Sequence, residues 1–317
     1  MCWRNAGVSR SGAACATPIC ARAACSSRRW RRSASIAGWP GCPGRTRPEA
    51  RPEESCVFAS LSEIIKYREA ARLLTLRELQ VRYSNSALGV VWSLFHPLVL
   101  TAFFTFAFTV LLRNDIPAYP VFFLAALLPW NFFSLSAVNA TVSITGNSPL
   151  VNRVYFPREV LPLAAVSANA ANFLIALLPL AGLMVILGVP FRASLAWFPV
   201  ILSVHYVFTL GLGLVLAALN VYLRDVQQIV EALMLPLFFL TPVIYSLAGQ
   251  GVSNDLQRLA LIVNPMAGLV TLYRQIIYFG QNPDLSLLAV TALEALAALL
   301  IGLATFRRLS PHFVDEL

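Results

Sequence analysis

The chain is expected to fold as an all-α polytopic membrane protein with six transmembrane helices, an N-terminal amphipathic interface helix, and short re-entrant or interfacial helices between spans five and six. Three observations carry this expectation. Of 317 residues, 58% are hydrophobic and 12% charged, whereas soluble domains are charged at about a quarter of their positions. The apolar residues gather in runs of the roughly 20 residues that cross about 30 Å of hydrocarbon. Two other runs, Leu256 to Val263 and Met266 to Phe279 with Arg274 inside it, are too short to cross and fit segments buried against protein at membrane depth.

Residues 1–56 stand apart. They hold ten Arg against three Glu, +7 of the net +9, and all six cysteines, with no CxxC and no histidine among them. Metal-ligand spacing is therefore absent there, and no disulfide framework can be argued. The leader lacks the apolar centre of a secretory signal, and its Arg, Ser, Ala, Gly and Pro content reads as disordered. The expectation is a misassigned start, with the protein beginning near Val57. The other 261 residues hold 14 basic and 12 acidic side chains, so a basic groove for nucleic acid is not indicated.

Residues 57–87 read as a cytoplasmic amphipathic helix. Leu61, Ile64 and Ile65 share one face, followed by Leu76, Leu79 and Tyr83 after a charged middle. Glu78 and Arg82 have the spacing of a helical ion pair. A small soluble cap is the alternative, but direct continuity with a long apolar run favours an interfacial helix. Asn85 and Ser86 punctuate. Residues 88–306 form the transmembrane domain, with spans at about 88–112, 121–144, 160–189, 195–223, 229–245 and 285–306, and 307–317 is a cytoplasmic tail. The second span carries Pro129, the third Asn169, Asn172 and Pro179, and the short fifth Pro236 and Pro242. Ten basic residues (Lys66, Arg68, Arg72, Arg77, Arg82, Arg153, Arg158, Arg224, Arg307, Arg308) fall on the side of both termini, against Arg113, Arg192, Arg258 and Arg274 opposite. That asymmetry puts both termini in the cytoplasm.

Catalytic and metal-binding residues are not predicted. Lys66 is the single lysine and no Gly-Lys pair exists, so a Walker A loop is missing. His96, His205 and His312 are isolated from any nucleophile or carboxylate partner, and no Asp-x-Asp pair occurs. His96, beside Pro97 in an apolar run, reads as a packing or pore-lining group. Glu294 sits near the middle of the sixth span, where a charge costs about 2.5–3.5 kcal/mol, so it faces protein or water, or is protonated. Aromatics at the span ends, Trp92 and Trp130 among them, fit an interfacial belt, and a minority suit stacking against sugar faces.

Five phrases in order, LRELQVRYSNSALGVVWSLFHPL, NSPLVNRVYFPREVLPLA, NVYLRDVQQIV, TPVIY and NPMAGLVTLYRQ, resemble the permease subunits of type-2 ABC exporters for lipid-linked polysaccharides and teichoic acids. The likeness runs from about Leu61 to Pro311; the leader departs from it. It implies a transport subunit rather than an enzyme, paired with a second copy of itself and two ABC ATPase subunits that carry ATP and Mg. It also implies a bacterial plasma (inner) membrane location, with O-antigen, capsular or teichoic-acid-like glycan on a lipid diphosphate as substrate. Leu76, Arg77, Glu78, Leu79, Arg82 and Tyr83 would belong to the interface helix. Asn147, Pro149, Val151, Arg153, Tyr155, Phe156, Pro157, Arg158 and Glu159 would form the coupling element, with Arg224 and Asp225 as a second contact. In that element Val151, Val154, Tyr155 and Phe156 read as an apolar knob between two prolines. Trp92, His96 and Glu294 would line the channel, and Leu256 to Phe279 would close its exit. Arg77, Arg82 and Arg153 would attract the diphosphate or anchor to the bilayer surface. The rival readings are an exporter of drugs or small lipids, and a membrane enzyme of glycan assembly.

Overall fold

The computed structural model describes residues 67–83, 90–113, 116–153, 156–245, 261 and 263–316. Every regular element among them is helical. In chain order they are α1 (Arg68–Tyr83), α2 (Val90–Thr105, continuing as a π-helix over Phe106–Leu111), α3 (Tyr119–Val142) and α4 (Ser148–Arg153). There follow α5 (Val160–Ile186), α6 (Phe198–Tyr222), α7 (Asp225–Leu240), α8 (Pro265–Ile277), α9 (Leu285–Leu309) and α10 (Phe313–Glu316). The leader, the Val57 start, the first part of the predicted amphipathic helix and the Asn85–Ser86 break lie outside the described residues, as does most of Leu256 to Val263.

Among the described residues, five stretches are long and apolar enough to cross a membrane: Leu94–Leu111, Tyr119–Val142, Val160–Ile186, Ala193–Tyr222 and Leu285–His312. The fifth predicted span, 229–245, is instead a helix of 16 residues, about 24 Å long. It stops at Thr241, whose backbone is extended, just before Pro242. The freed carbonyls beyond it find a partner elsewhere in the bundle, described below.

Helix α3 is apolar all round, and residues 121–130 are buried on every side, as expected of a helix at the centre of a bundle. It packs against α2, α5, α6, α7 and α8. The main core gathers its aromatic side chains, including Tyr119, Phe122, Phe123 and Phe132, with Phe173 of α5 and Tyr273 of α8. A second, smaller core fills the end of the bundle that carries α1 and α4, and joins Ile144, Val151, Leu214, Val221, Phe306 and Phe313.

The tightest contact is between α6 and α9, which run parallel. A Cβ on Gly211 would overlap the backbone of Ala298 and Leu299, and one on Gly302 would overlap Gly211 itself. Small residues let helix backbones meet this closely in lipid, where van der Waals packing rather than water exclusion drives association.

Candidate functional site

At the α1 end of the bundle, side-chain amides hold the elements together. Arg82, in the last turn of α1, donates from Nη1 to Asn169 Oδ1 of α5 at 2.8 Å, and Tyr83 Oη donates to Asn172 Oδ1 at 2.5 Å. Asn169 Oδ1 also accepts from Asn139 Nδ2 of α3 at 3.3 Å, and its own amide donates to the Ala165 carbonyl at 3.1 Å. Asn169 is thus a buried hub with both ends of its amide engaged, the condition under which a buried polar group is not a liability. The expected Glu78–Arg82 ion pair does not form among the described residues. Arg82 lies at the end of α1 against α5, and the nearby carboxamide takes its hydrogen bond.

The turn after α3 is tied to α1 and to α6. Arg77 Nη1 reaches Asn147 Oδ1 at 3.5 Å, and Asn147 Nδ2 caps the Ser143 carbonyl at 2.9 Å. Asn220 of α6 donates to Thr145 Oγ1 at 3.3 Å and accepts from the Gln227 backbone N–H at 3.2 Å. One side chain thereby bridges the two connections predicted to be cytoplasmic. Arg224, before α7, and Asp225, its first residue, are exposed.

Of the predicted coupling residues, Val151 faces inward and packs in the second core, while Phe156 is half-buried against it. Tyr155 and the side chain of Arg153 lie outside the described residues. Arg158 hydrogen-bonds the Ser310 carbonyl and lies 5.7 Å from the centre of the Phe313 ring. Tyr222 Oη donates to the Leu309 carbonyl at 2.9 Å. The C-terminal turn is therefore clasped to the loop before α5. A cavity of about 310 Å³ opens between them, lined by Phe156, Pro157, Arg158, Glu159, Ser310 and Pro311.

A cavity of about 430 Å³ is a cleft between α2 and α5 floored by α3. Arg82, His96 and Asn139, Asn169 and Asn172 line it with Leu128, Phe132 and Phe173. His96 thus faces the cleft, but Glu294 on α9 does not, so the predicted channel residues are not brought together. One Glu294 carboxylate oxygen is buried without a hydrogen-bond partner among the described residues. The Trp92 side chain lies outside them. Among the described residues, no three His, Cys, Asp or Glu side chains converge; what converges is amide, hydroxyl and guanidinium.

At the opposite end, Arg274 of α8 is 4% exposed. Its guanidinium donates to the carbonyls of Phe122 at 3.3 Å, Pro242 at 2.5 Å and Tyr245 at 2.8 Å, and to that of Val243. It also lies 3.7 Å from the centre of the Phe122 ring. Three of these carbonyls, those of Pro242, Val243 and Tyr245, lie just past the end of α7. Tyr119 Oη supports the same turn through the Ile244 carbonyl at 3.0 Å, and Asn264 Nδ2 donates to Thr241 Oγ1 at 3.0 Å. The charge distribution had counted Arg274 as an outer-loop cation; it is an internal clamp. Its sequence signal was an arginine alone inside an apolar helix downstream of a proline-broken one.

Residues 69–278 match the ABC-2 type transporter family. An O-antigen export system permease protein, RfbA of Myxococcus xanthus, is 35% identical over 260 residues, which cover 80% of this chain and 98% of that protein. A Klebsiella pneumoniae protein of the same name is 27% identical over 252 residues, 77% of this chain and 93% of its own length. The polysialic acid transport protein KpsM of Escherichia coli is 24% identical over 241 residues, 74% and 91% respectively.

Proposed function

Since the chain belongs to the ABC-2 type transporter family, we propose that it is the membrane-spanning permease subunit of an ATP-driven exporter of a lipid-linked polysaccharide of the O-antigen or capsular kind. It is a multi-pass membrane protein and the transport component of the system. ATP and Mg²⁺ belong to separate ATPase subunits, two of which dock on a pair of permease copies. In this reading α7 and the turn after it count as the fifth of six crossings, both termini are cytoplasmic, and the membrane is the bacterial inner membrane.

The observation that carries the mechanism is the hydrogen-bonded join of α1 to α5 through Arg82–Asn169 and Tyr83–Asn172. An ATPase that pushes on α1 pushes on the third span as well as on the first. The loop from Asn147 to Glu159 and the Arg224–Asp225 connection are the remaining contacts, and Asn220 makes the two move together. Leu73, Leu76 and Val81 are exposed on α1, an apolar face available to the ATPase or the bilayer surface. ATP drives the cycle only through its tighter binding to the closed ATPase pair, because a ligand shifts an equilibrium by its differential affinity.

Deletion of the gene is expected to remove the surface glycan and to trap its lipid-linked precursor on the cytoplasmic side; reintroduction of the chain restores both. A deletion strain with normal surface glycan refutes this function.

A further inference from the structure

The cleft between α2 and α5 joins two surfaces of opposite character. Leu128, Phe132, Phe173 and Ala176 form an apolar wall, while Arg82 with Asn139 and Asn172 forms a polar end. Arg82 spends one of its donors on Asn169, and a guanidinium has five. Asn172 uses its oxygen to receive Tyr83, which leaves its amide hydrogens directed elsewhere. The side chains of Asn131 and His96, also on the lining, have no hydrogen-bond partner among the described residues. Leu135 of the same lining is 45% exposed, and Leu174 and Leu178 of α5 are 47% and 68% exposed, so the flank of the cleft is of the kind that faces lipid.

A cation beside hydrocarbon is costly unless an anion or water attends it, and no carboxylate pairs with Arg82 among the described residues. Amide and guanidinium donors above an apolar wall match a phosphate ester joined to a hydrocarbon chain. We propose that this cleft binds a phosphate-bearing lipid, with the phosphate on Arg82 and the Asn139 and Asn172 amides and the chain along Leu128, Phe132 and Phe173. A bilayer phospholipid and the lipid diphosphate of an exported glycan share that chemistry; the second source rests on the exporter reading.

The test measures lipids retained by the full chain, purified with its ATPase partner, by native mass spectrometry. The probes are dioleoylphosphatidylglycerol, a long-chain prenyl diphosphate and dioleoylglycerol, which lacks phosphate. Both phosphate-bearing probes are expected to be retained about tenfold better than dioleoylglycerol, given the strength of charge-assisted hydrogen bonds. Arg82→Gln should abolish that preference. Because Arg82 also fastens α1, Asn131→Trp is the companion variant: its indole narrows the cleft without breaking a hydrogen bond, so retention should fall while the melting temperature holds. Preference for the prenyl diphosphate identifies the exported anchor, and equal or greater retention of phosphatidylglycerol identifies a bilayer lipid; both sustain the site. Equal retention of dioleoylglycerol, or unchanged retention in both variants, overturns it. A wild-type chain that restores surface glycan yet retains no lipid sinks the cleft alone and leaves the export function standing.

Discussion

Arg274 satisfies four backbone carbonyls and an aromatic face from one buried position. Removing it orphans carbonyls that water does not reach, and hydrogen bonds to a charged group are worth about 1.5–3 kcal/mol each. Arg274→Ala is expected to lower stability by at least about 3 kcal/mol, read as a fall in melting temperature in detergent. Arg274→Lys should recover only a minor part, because an ammonium cannot span the fork that a guanidinium fills. Asn169 has a similar place at the other end. Its side chain was visible in the sequence as an amide inside a span, but its partner, Arg82, lies 87 residues away. No periodicity within one helix shows such a pairing. His205, likewise noted in the sequence as isolated, is fully buried between Phe132 and Tyr273 with neither ring nitrogen hydrogen-bonded among the described residues.

Among the elements, α1 combines a fixed end with an exposed face. Asn169→Leu is expected to leave nucleotide hydrolysis by the ATPase within about twofold while export falls about tenfold or more, the range of a coupling of about 1–3 kcal/mol. Equal losses in both would mean that the variant simply unfolds. Deleting Asn85 and Ser86 should uncouple in the same way, since it shortens the connection between a helix fastened to α5 and the first span. Unchanged transport would show that this connection carries no motion. Hydropathy was enough to find the four long apolar helices after α2, because a helix satisfies the backbone of such a run in lipid. It overestimated α7. There the apolar run continues to Tyr245, but Pro242 and the extended Thr241 end the helix sooner, and it is Arg274, remote in sequence, that makes the early end tolerable. The segment proposed to couple, Asn147 to Glu159, divided in the same manner: its prolines were readable, but the inward turn of Val151 depends on Ile144, Leu214 and Phe306.

For the whole molecule, the C-terminal turn is part of the bundle. Tyr222→Phe removes its bond to the Leu309 carbonyl and should cost about 1 kcal/mol, whereas truncation before Ser310 also strips Phe313 from the second core. The truncated chain is expected to melt several degrees lower and to release its ATPase more readily, measured by co-purification. Gly211→Leu should prevent accumulation of the folded chain, because the backbones of α6 and α9 leave no space for a side chain and neither can yield without the other. That glycine contact has a mechanical consequence. Where Gly211 meets Ala298, Leu299 and Gly302 there is no side chain to roll or reseat, so α6 and α9 are expected to act as a stator, against which the moving parts of a transport stroke turn. Spin labels near the middle of these two helices should keep one separation with and without nucleotide, while a label on α2 shifts relative to both.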